Sequence, residues 1–111
     1  MEIATEEMPG GITRVILAGS LDIAGAAAID LPMNVIASAH KTVLVDLRQV
    51  SFIGSMGLSA LVAPARAIMR RGGKMVLFGP NQMVAQVLRT SAIDTVIPVY
   101  NDLETAVKAL Q

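Results

Sequence analysis

The stretch "VSFIGSMGL", from Val50 to Leu58, places a serine between two glycines, at the junction of an apolar run and an apparent helix. Three roles compete for this serine, Ser55: a helix cap, a catalytic nucleophile, or an acceptor for a modifying group. On local sequence alone, its hydroxyl is expected to cap the helix by accepting a hydrogen bond from a free amide of the first turn.

The residues on both sides of the junction predict a strand followed by a helix. "TVLVDL", from Thr42 to Leu47, is a short run rich in β-branched residues and predicts a buried strand. After Ser55, apolar residues recur every three or four positions, which predicts a helix with one apolar face. Gly72 and Gly73 are expected to end this helix, and Pro64 is expected to bend it.

The rest of the chain repeats this alternation after an opening hairpin. Strand-like residues 2–8 and 12–19 flank the turn "PGG", whose proline and glycines suit a reversal of the chain. The remaining predicted elements, in order, are a helix over 24–39 started by Asp22 and bent at Pro32, a strand "KMVLFGP", a helix capped by Asn81, a strand "TVIPV" and a last helix capped by Asn101 or Asp102. The sequence therefore predicts a single domain over 1–111, of class α/β, with a mixed, mostly parallel sheet, an N-terminal hairpin and about four helices.

Composition excludes several classes of function. The 111 residues hold nine basic and nine acidic side chains and only 3% aromatics, so a nucleic-acid partner is not expected. No cysteine is present, which excludes thiol catalysis and cysteine-based metal sites. The longest uncharged run, 49–65, is shorter than a membrane span and contains polar residues, and "MEIATEEM" lacks the features of a signal peptide. We expect a cytoplasmic protein without membrane insertion.

Catalytic motifs are incomplete at every candidate position. A nucleophile elbow needs glycine two residues before the serine, where this chain has Ile53. The single histidine, His40, lies at the predicted end of a helix, and "RRGGK" lacks the spacing of a phosphate-binding loop. We therefore expect no enzyme activity, no cofactor and no metal site.

A serine at the start of a helix is also suited to phosphorylation. A phosphate would add a charge of about −1.5 to −2 where the helix dipole tolerates negative charge, so the fold would survive. A protein packed over that end would instead meet a strongly hydrated dianion. Modification of Ser55 would therefore act on a partner more than on the fold.

The segment "VDLRQVSFIGSMGL" resembles the signature of the STAS domain, the fold of bacterial anti-sigma factor antagonists. The resemblance extends to "GSLD" near the start and to the second half of the chain from "RRGGK" onward, so it covers essentially the whole sequence. The matching positions in the signature are Asp46, Val50, Phe52, Ile53, Ser55, Gly57 and Leu58. Gly54 stands where many members have Asp.

The resemblance implies that Ser55 is a phosphate acceptor. The unphosphorylated protein would bind an anti-sigma factor that is also a serine kinase, phosphorylation would release it, and a PP2C-type phosphatase would reset the switch. The implied partner-binding residues are Asp22, Gly54, Ser55, Met56, Gly57 and Leu58. STAS domains also occur as non-switching subunits of lipid-transporter or scaffold complexes, and in that alternative Ser55 would be only a cap.

Two further expectations concern charged residues. Asp46 is expected to end its strand and to stabilise the turn that follows it. The basic residues Arg66, Arg70, Arg71 and Lys74 are expected to form a solvated helix face, with an acidic partner as the alternative.

Overall fold

In the computed structural model, which describes all 111 residues, five strands form one sheet in the order β1-β2-β3-β4-β5. The antiparallel hairpin consists of β1 (Glu2–Met8) and β2 (Ile12–Leu21). The strands β3 (Thr42–Ile53), β4 (Lys74–Phe78) and β5 (Val99–Tyr100) continue the sheet in parallel. This mixed, mostly parallel sheet confirms the predicted fold class.

Four α-helices connect and follow the strands. They are α1 (Ile23–Ala39), α2 (Ser55–Arg70), α3 (Gln82–Thr90) and α4 (Leu103–Leu110), and a 3-10 helix covers Ile93–Thr95. The side chains of Asp22, Asn81 and Asp102 accept hydrogen bonds at the starts of α1, α3 and α4, as predicted. The helix α1 stays helical through Pro32, and α2 through Pro64.

The core divides between the two faces of the sheet because successive strand residues point to opposite sides. Val15, Leu17 and Val45 belong to the larger cluster, which is covered by α1, α2 and α3. Ile12 and Leu44 belong to a smaller cluster beneath α4. This arrangement leaves α1 and α2 side by side on one face, with their amino ends at the same edge of the sheet.

Strand boundaries differ from the sequence prediction, by two residues at the ends of β2 and β4 and more widely in β3 and β5. The strand β3 does not end at Leu47 but runs on to Ile53, because two register shifts let β2 continue to pair with it. The last strand is only Val99–Tyr100 rather than residues 95–99. Ala92 has a left-handed conformation with φ 61° and precedes the 3-10 helix Ile93–Thr95. The strand therefore begins only after this helix.

Asp46 does not end its strand, contrary to the expectation. Its carboxylate is buried within β3 and accepts hydrogen bonds from Arg14, at 2.6 Å, and from Arg48, at 2.8 Å. Burial alone would raise the pKa of Asp46, but the hydrogen bonds from Arg48 and Arg14 outweigh it and lower the pKa below the ordinary value. Asp46 therefore ties β2 to β3 on the face that α4 partly covers.

None of the helices has both the length and the hydropathy needed to cross a membrane.

Candidate functional site

The candidate site lies at the edge of the sheet where β2 and β3 end together. Leu21 pairs with Ile53 as the last residues of the two strands. Asp22 follows the first of these residues and starts α1, whereas Gly54 follows the second and starts α2. The sequence-predicted residues Asp22 and Ser55 are thus brought to one edge, as expected from parallel strands.

The start of α1 is closed by a side chain. Asp22 accepts a hydrogen bond from the backbone N–H of Gly25 at 2.8 Å. This hydrogen bond lowers the pKa of Asp22, because it favours the charged carboxylate. The expectation that Asp22 caps the first helix is confirmed.

The start of α2 is different, and the prediction that Ser55 caps it is wrong. The N–H of Gly54 donates to the carbonyl of Leu21 at 3.0 Å, which holds Gly54 in an extended conformation at the end of the β2–β3 ladder. The helix therefore begins one residue later, with Gly54 at the cap position and no side-chain hydrogen bond there. Ser55 is the first helical residue, and its side chain is exposed.

The other residues of the predicted site divide into surface and packing positions. Met56 is 53% exposed, and Leu58 is half-buried against the main core. Gly57 is buried, and a Cβ there would collide with the carbonyl oxygen of Leu21. Gly57 thus lets the first turn of α2 lie directly on the end of β2, and its role in the site is one of packing.

An exposed apolar patch accompanies the serine. A groove of about 390 Å³ lies between the first two turns of α1 and of α2, and its mostly apolar lining includes Ile23, Ala27, Met56 and Ala60 together with the acidic Asp30. Ile23 is 74% exposed and, together with Met56, gives this groove an apolar surface. Sequence reasoning missed Ile23 because the residues of α1 are apolar on nearly all sides, so that no pattern marks the outward face.

The four residues of the basic cluster have different surroundings. Arg71 donates to the backbone carbonyl of Ala37, and Lys74 donates to that of Ala109 at 2.8 Å. Arg66 and Arg70 are exposed on α2, as expected of a solvated helix face. The four residues therefore do not form one solvated face.

The mixed sheet, the opening hairpin and the serine at the start of the second helix define a class of small α/β domains with a site at one sheet edge. The STAS domain family model matches residues 4–106, and the chain belongs to the STAS domain family.

Two curated relatives are similar to parts of the chain. An anti-sigma F factor antagonist of Paenibacillus polymyxa is 23% identical over 103 residues, which are 91% of this chain and 88% of that protein. A protein of Thermotoga neapolitana, named as an anti-sigma factor antagonist homologue, is 26% identical over 72 residues. That second match spans 65% of this chain and 64% of the relative.

Solved structures repeat the fold in two settings. An anti-sigma factor antagonist from Mycobacterium paratuberculosis is 25% identical, with a TM-score of 0.83, and covers 98% of this chain and 94% of its own. The STAS domain of a SulP transporter from Vibrio cholerae is 24% identical, with a TM-score of 0.69, and covers 92% of this chain and 82% of its own. The same fold therefore serves both kinds of protein.

Proposed function

We propose that this chain is an anti-sigma factor antagonist that binds a serine-kinase anti-sigma factor while Ser55 is unmodified. Phosphorylation of Ser55 by that kinase releases the partner, and a PP2C-type phosphatase restores binding. The chain itself is not an enzyme in this scheme and acts in the cytoplasm, where it frees a sigma factor by occupying its inhibitor. The observation that carries the proposal is the exposed Ser55 at the first position of α2, with no capping role.

The position of Ser55 suits a residue that gains and loses phosphate. The first turn of a helix has backbone N–H groups without intrahelical partners, and the helix dipole favours negative charge there. Because the cap position is Gly54, the hydroxyl of Ser55 is not needed to hold the helix start. A phosphate at Ser55 would therefore leave the fold intact.

The surroundings of Ser55 explain why a phosphate would release a partner. Ile23 and Met56 present apolar surface at the same edge, and a partner that binds there removes this surface from water. A phosphate of charge about −2 beside such an interface would have to lose its hydration. The modified protein would then bind far more weakly, without any change of its own conformation.

The similarity to the SulP transporter domain favours a second candidate function, that of a non-switching subunit in a transporter or scaffold complex. The surface of α1 suits a permanent partner, since Leu31 is 72% exposed and Val35 is 56% exposed. In that case Ser55 would have no regulatory role, and substitution of its side chain would leave binding unchanged.

A pull-down from host lysate separates the two functions. The baits are the wild-type chain, Ser55→Ala, Ser55→Asp and, as a charge control, Ser38→Asp, which alters an exposed serine near the opposite end of α1. We expect a serine-kinase anti-sigma factor to be captured by wild type, Ser55→Ala and Ser38→Asp and to be lost with Ser55→Asp. Capture of the same transporter or scaffold proteins by all four baits would refute the antagonist function.

A further inference from the structure

A second groove lies on the other side of α2, between this helix and the 3-10 helix. It has a volume of about 430 Å³ and will be called the α2 groove. Leu58, Val62 and Ile93 form its apolar floor, and each also packs against the main core. Arg66 and Arg70 line one end of the groove.

The α2 groove begins within one helical turn of Ser55. Residues four apart lie on one face of a helix, so the series Leu58, Val62, Arg66 and Arg70 forms a single stripe along α2. Ser59, one turn after Ser55, lines both this groove and the groove beside Ile23. A partner that covers Ser55 would therefore reach the entrance of the α2 groove without crossing any other element.

The charge of the groove indicates the chemistry of its occupant. The helix α2 contains no acidic residue, and neither Arg66 nor Arg70 is in any of the salt bridges of the chain. Two exposed, unpaired guanidinium groups thus stand beside an apolar floor. An occupant with both apolar and acidic side chains would complement this surface.

We propose that the α2 groove binds an acidic amphipathic segment of the partner protein, the one that also covers Ser55. Apolar side chains of this segment lie on Leu58, Val62 and Ile93, and its carboxylates pair with Arg66 and Arg70. The identity of the partner rests on the proposed function, whereas the chemistry of the segment rests on the groove alone. A membrane surface is a poorer match, because recognition of anionic lipid usually takes about 4–8 clustered basic residues.

Charge reversal tests the role of the arginines. The double variant Arg66→Glu/Arg70→Glu is compared with Arg89→Glu/Lys108→Glu, which changes net charge equally at exposed positions in the last turns of α3 and α4. We expect the first variant to associate with the purified anti-sigma factor about tenfold more slowly at low salt, with a smaller difference at high salt. The control should associate like wild type. Equal association rates for the two double variants would overturn the proposal.

A neutral substitution tests the shape of the groove. Ala63 is exposed and lines the groove, so Ala63→Gln narrows it at no change in charge and little cost in helix propensity. We expect dissociation of the anti-sigma factor to become about tenfold faster, with an unchanged free energy of unfolding. Unchanged dissociation would show that the groove is empty in the complex and would contradict the proposal.

A peptide probe makes the test independent of the proposed function. Two synthetic amphipathic helices with the same leucine face, one flanked by glutamates and one by lysines, are titrated against the chain by fluorescence anisotropy. Wild type should bind the glutamate peptide at least about tenfold more tightly, and Arg66→Glu/Arg70→Glu should remove this preference. Equal binding of the two peptides would overturn the proposal. Phosphatidylglycerol vesicles are tested beside the peptides, and binding to the vesicles alone would also overturn it. Failure of the proposed function is read separately, from equal binding of the anti-sigma factor by wild type and Ser55→Asp.

Discussion

The helices α1 and α2 begin at the same edge of the sheet, and their first turns are built alike except at the cap. Each helix has a glycine at its third position, Gly25 in α1 and Gly57 in α2, and each glycine lies against the backbone at the end of β2. Asp22 closes α1 with a side-chain hydrogen bond. Gly54 occupies the same position before α2 and offers no side chain.

The two helix starts therefore differ in whether a polar side chain holds the first turn. At α1 the polar side chain is held by the backbone amide that it caps, and its pKa is lowered as a result. At α2 the cap comes from the backbone alone, so the neighbouring Ser55 keeps a free hydroxyl. A serine that also capped the helix would couple every modification to the stability of the fold.

The largest expected effect concerns Gly57, the glycine at the third position of α2. Gly57→Ala should lower the free energy of unfolding by about 2 kcal/mol, because its Cβ would collide with the carbonyl of Leu21. This is the net loss that remains after the gain of about 1 kcal/mol in helix propensity that alanine has over glycine. Urea unfolding measures it, with Gly54→Ser as the control, since a Cβ at Gly54 meets only the Phe52 ring at 3.4 Å. Equal stability of the two variants would show that the close approach of α2 to β2 is not needed.

Removal of the α1 cap should have the next largest effect. Asp22→Ala should clearly lower the free energy of unfolding, because the N–H of Gly25 loses its acceptor. Asp30→Ala, on the exposed surface of the same helix, is the matched control and should change stability by less than about 0.5 kcal/mol. Similar losses for both variants would argue against a specific cap.

The contribution of Asp22 should also depend on pH. Since folding lowers its pKa below the ordinary value of 3.8, the stabilisation is fully present above that pH and is lost as pH falls through the folded pKa. The difference in stability between wild type and Asp22→Ala should therefore shrink below about pH 3.8. Urea unfolding of the pair between pH 3 and pH 7 measures this difference, and a constant difference would contradict the assignment.

Placing a carboxylate before α2 should make the two helix starts alike. Gly54→Asp should raise the free energy of unfolding by a few tenths of a kcal/mol, because Asp is a slightly better cap than Gly. The backbone of Gly54 has φ −110°, which any residue adopts. Thermal unfolding measures the change, and a marked loss of stability would show that the Gly54 position does not accept a side chain.

The smallest effect is expected for Ser55→Ala. A capping serine would cost about 1 kcal/mol on replacement, whereas a free one should cost less than about 0.5 kcal/mol. Comparison with Asp22→Ala by the same urea unfolding measurement is the direct test. Equal losses would mean that Ser55 caps α2 after all.

Features set by short-range chemistry were predictable from the sequence. The caps Asp22, Asn81 and Asp102, the hairpin and the order of strands and helices depend on neighbouring residues and on the period of the apolar positions. The position of Ser55 at the sheet edge also followed, because parallel strands bring the loops after their carboxyl ends together.

Features set by pairing between distant residues were not predictable. The cap position of α2 is Gly54 rather than the predicted Ser55, because the N–H of Gly54 donates to the carbonyl of Leu21, more than thirty residues away along the chain. The buried position of Asp46 depends on Arg14 from another strand, and no local pattern marks that partnership. The α2 groove likewise requires Ile93 to pack beside α2, which only the folded chain shows.

The most direct test of the proposed switch is to incubate the purified chain with the proposed serine-kinase anti-sigma factor and Mg-ATP and to locate the phosphate by mass spectrometry. We expect one phosphate on Ser55, none on the Ser55→Ala variant, and loss of the complex as the phosphate accumulates. Phosphate on another residue, or a complex that survives full modification of Ser55, would contradict it.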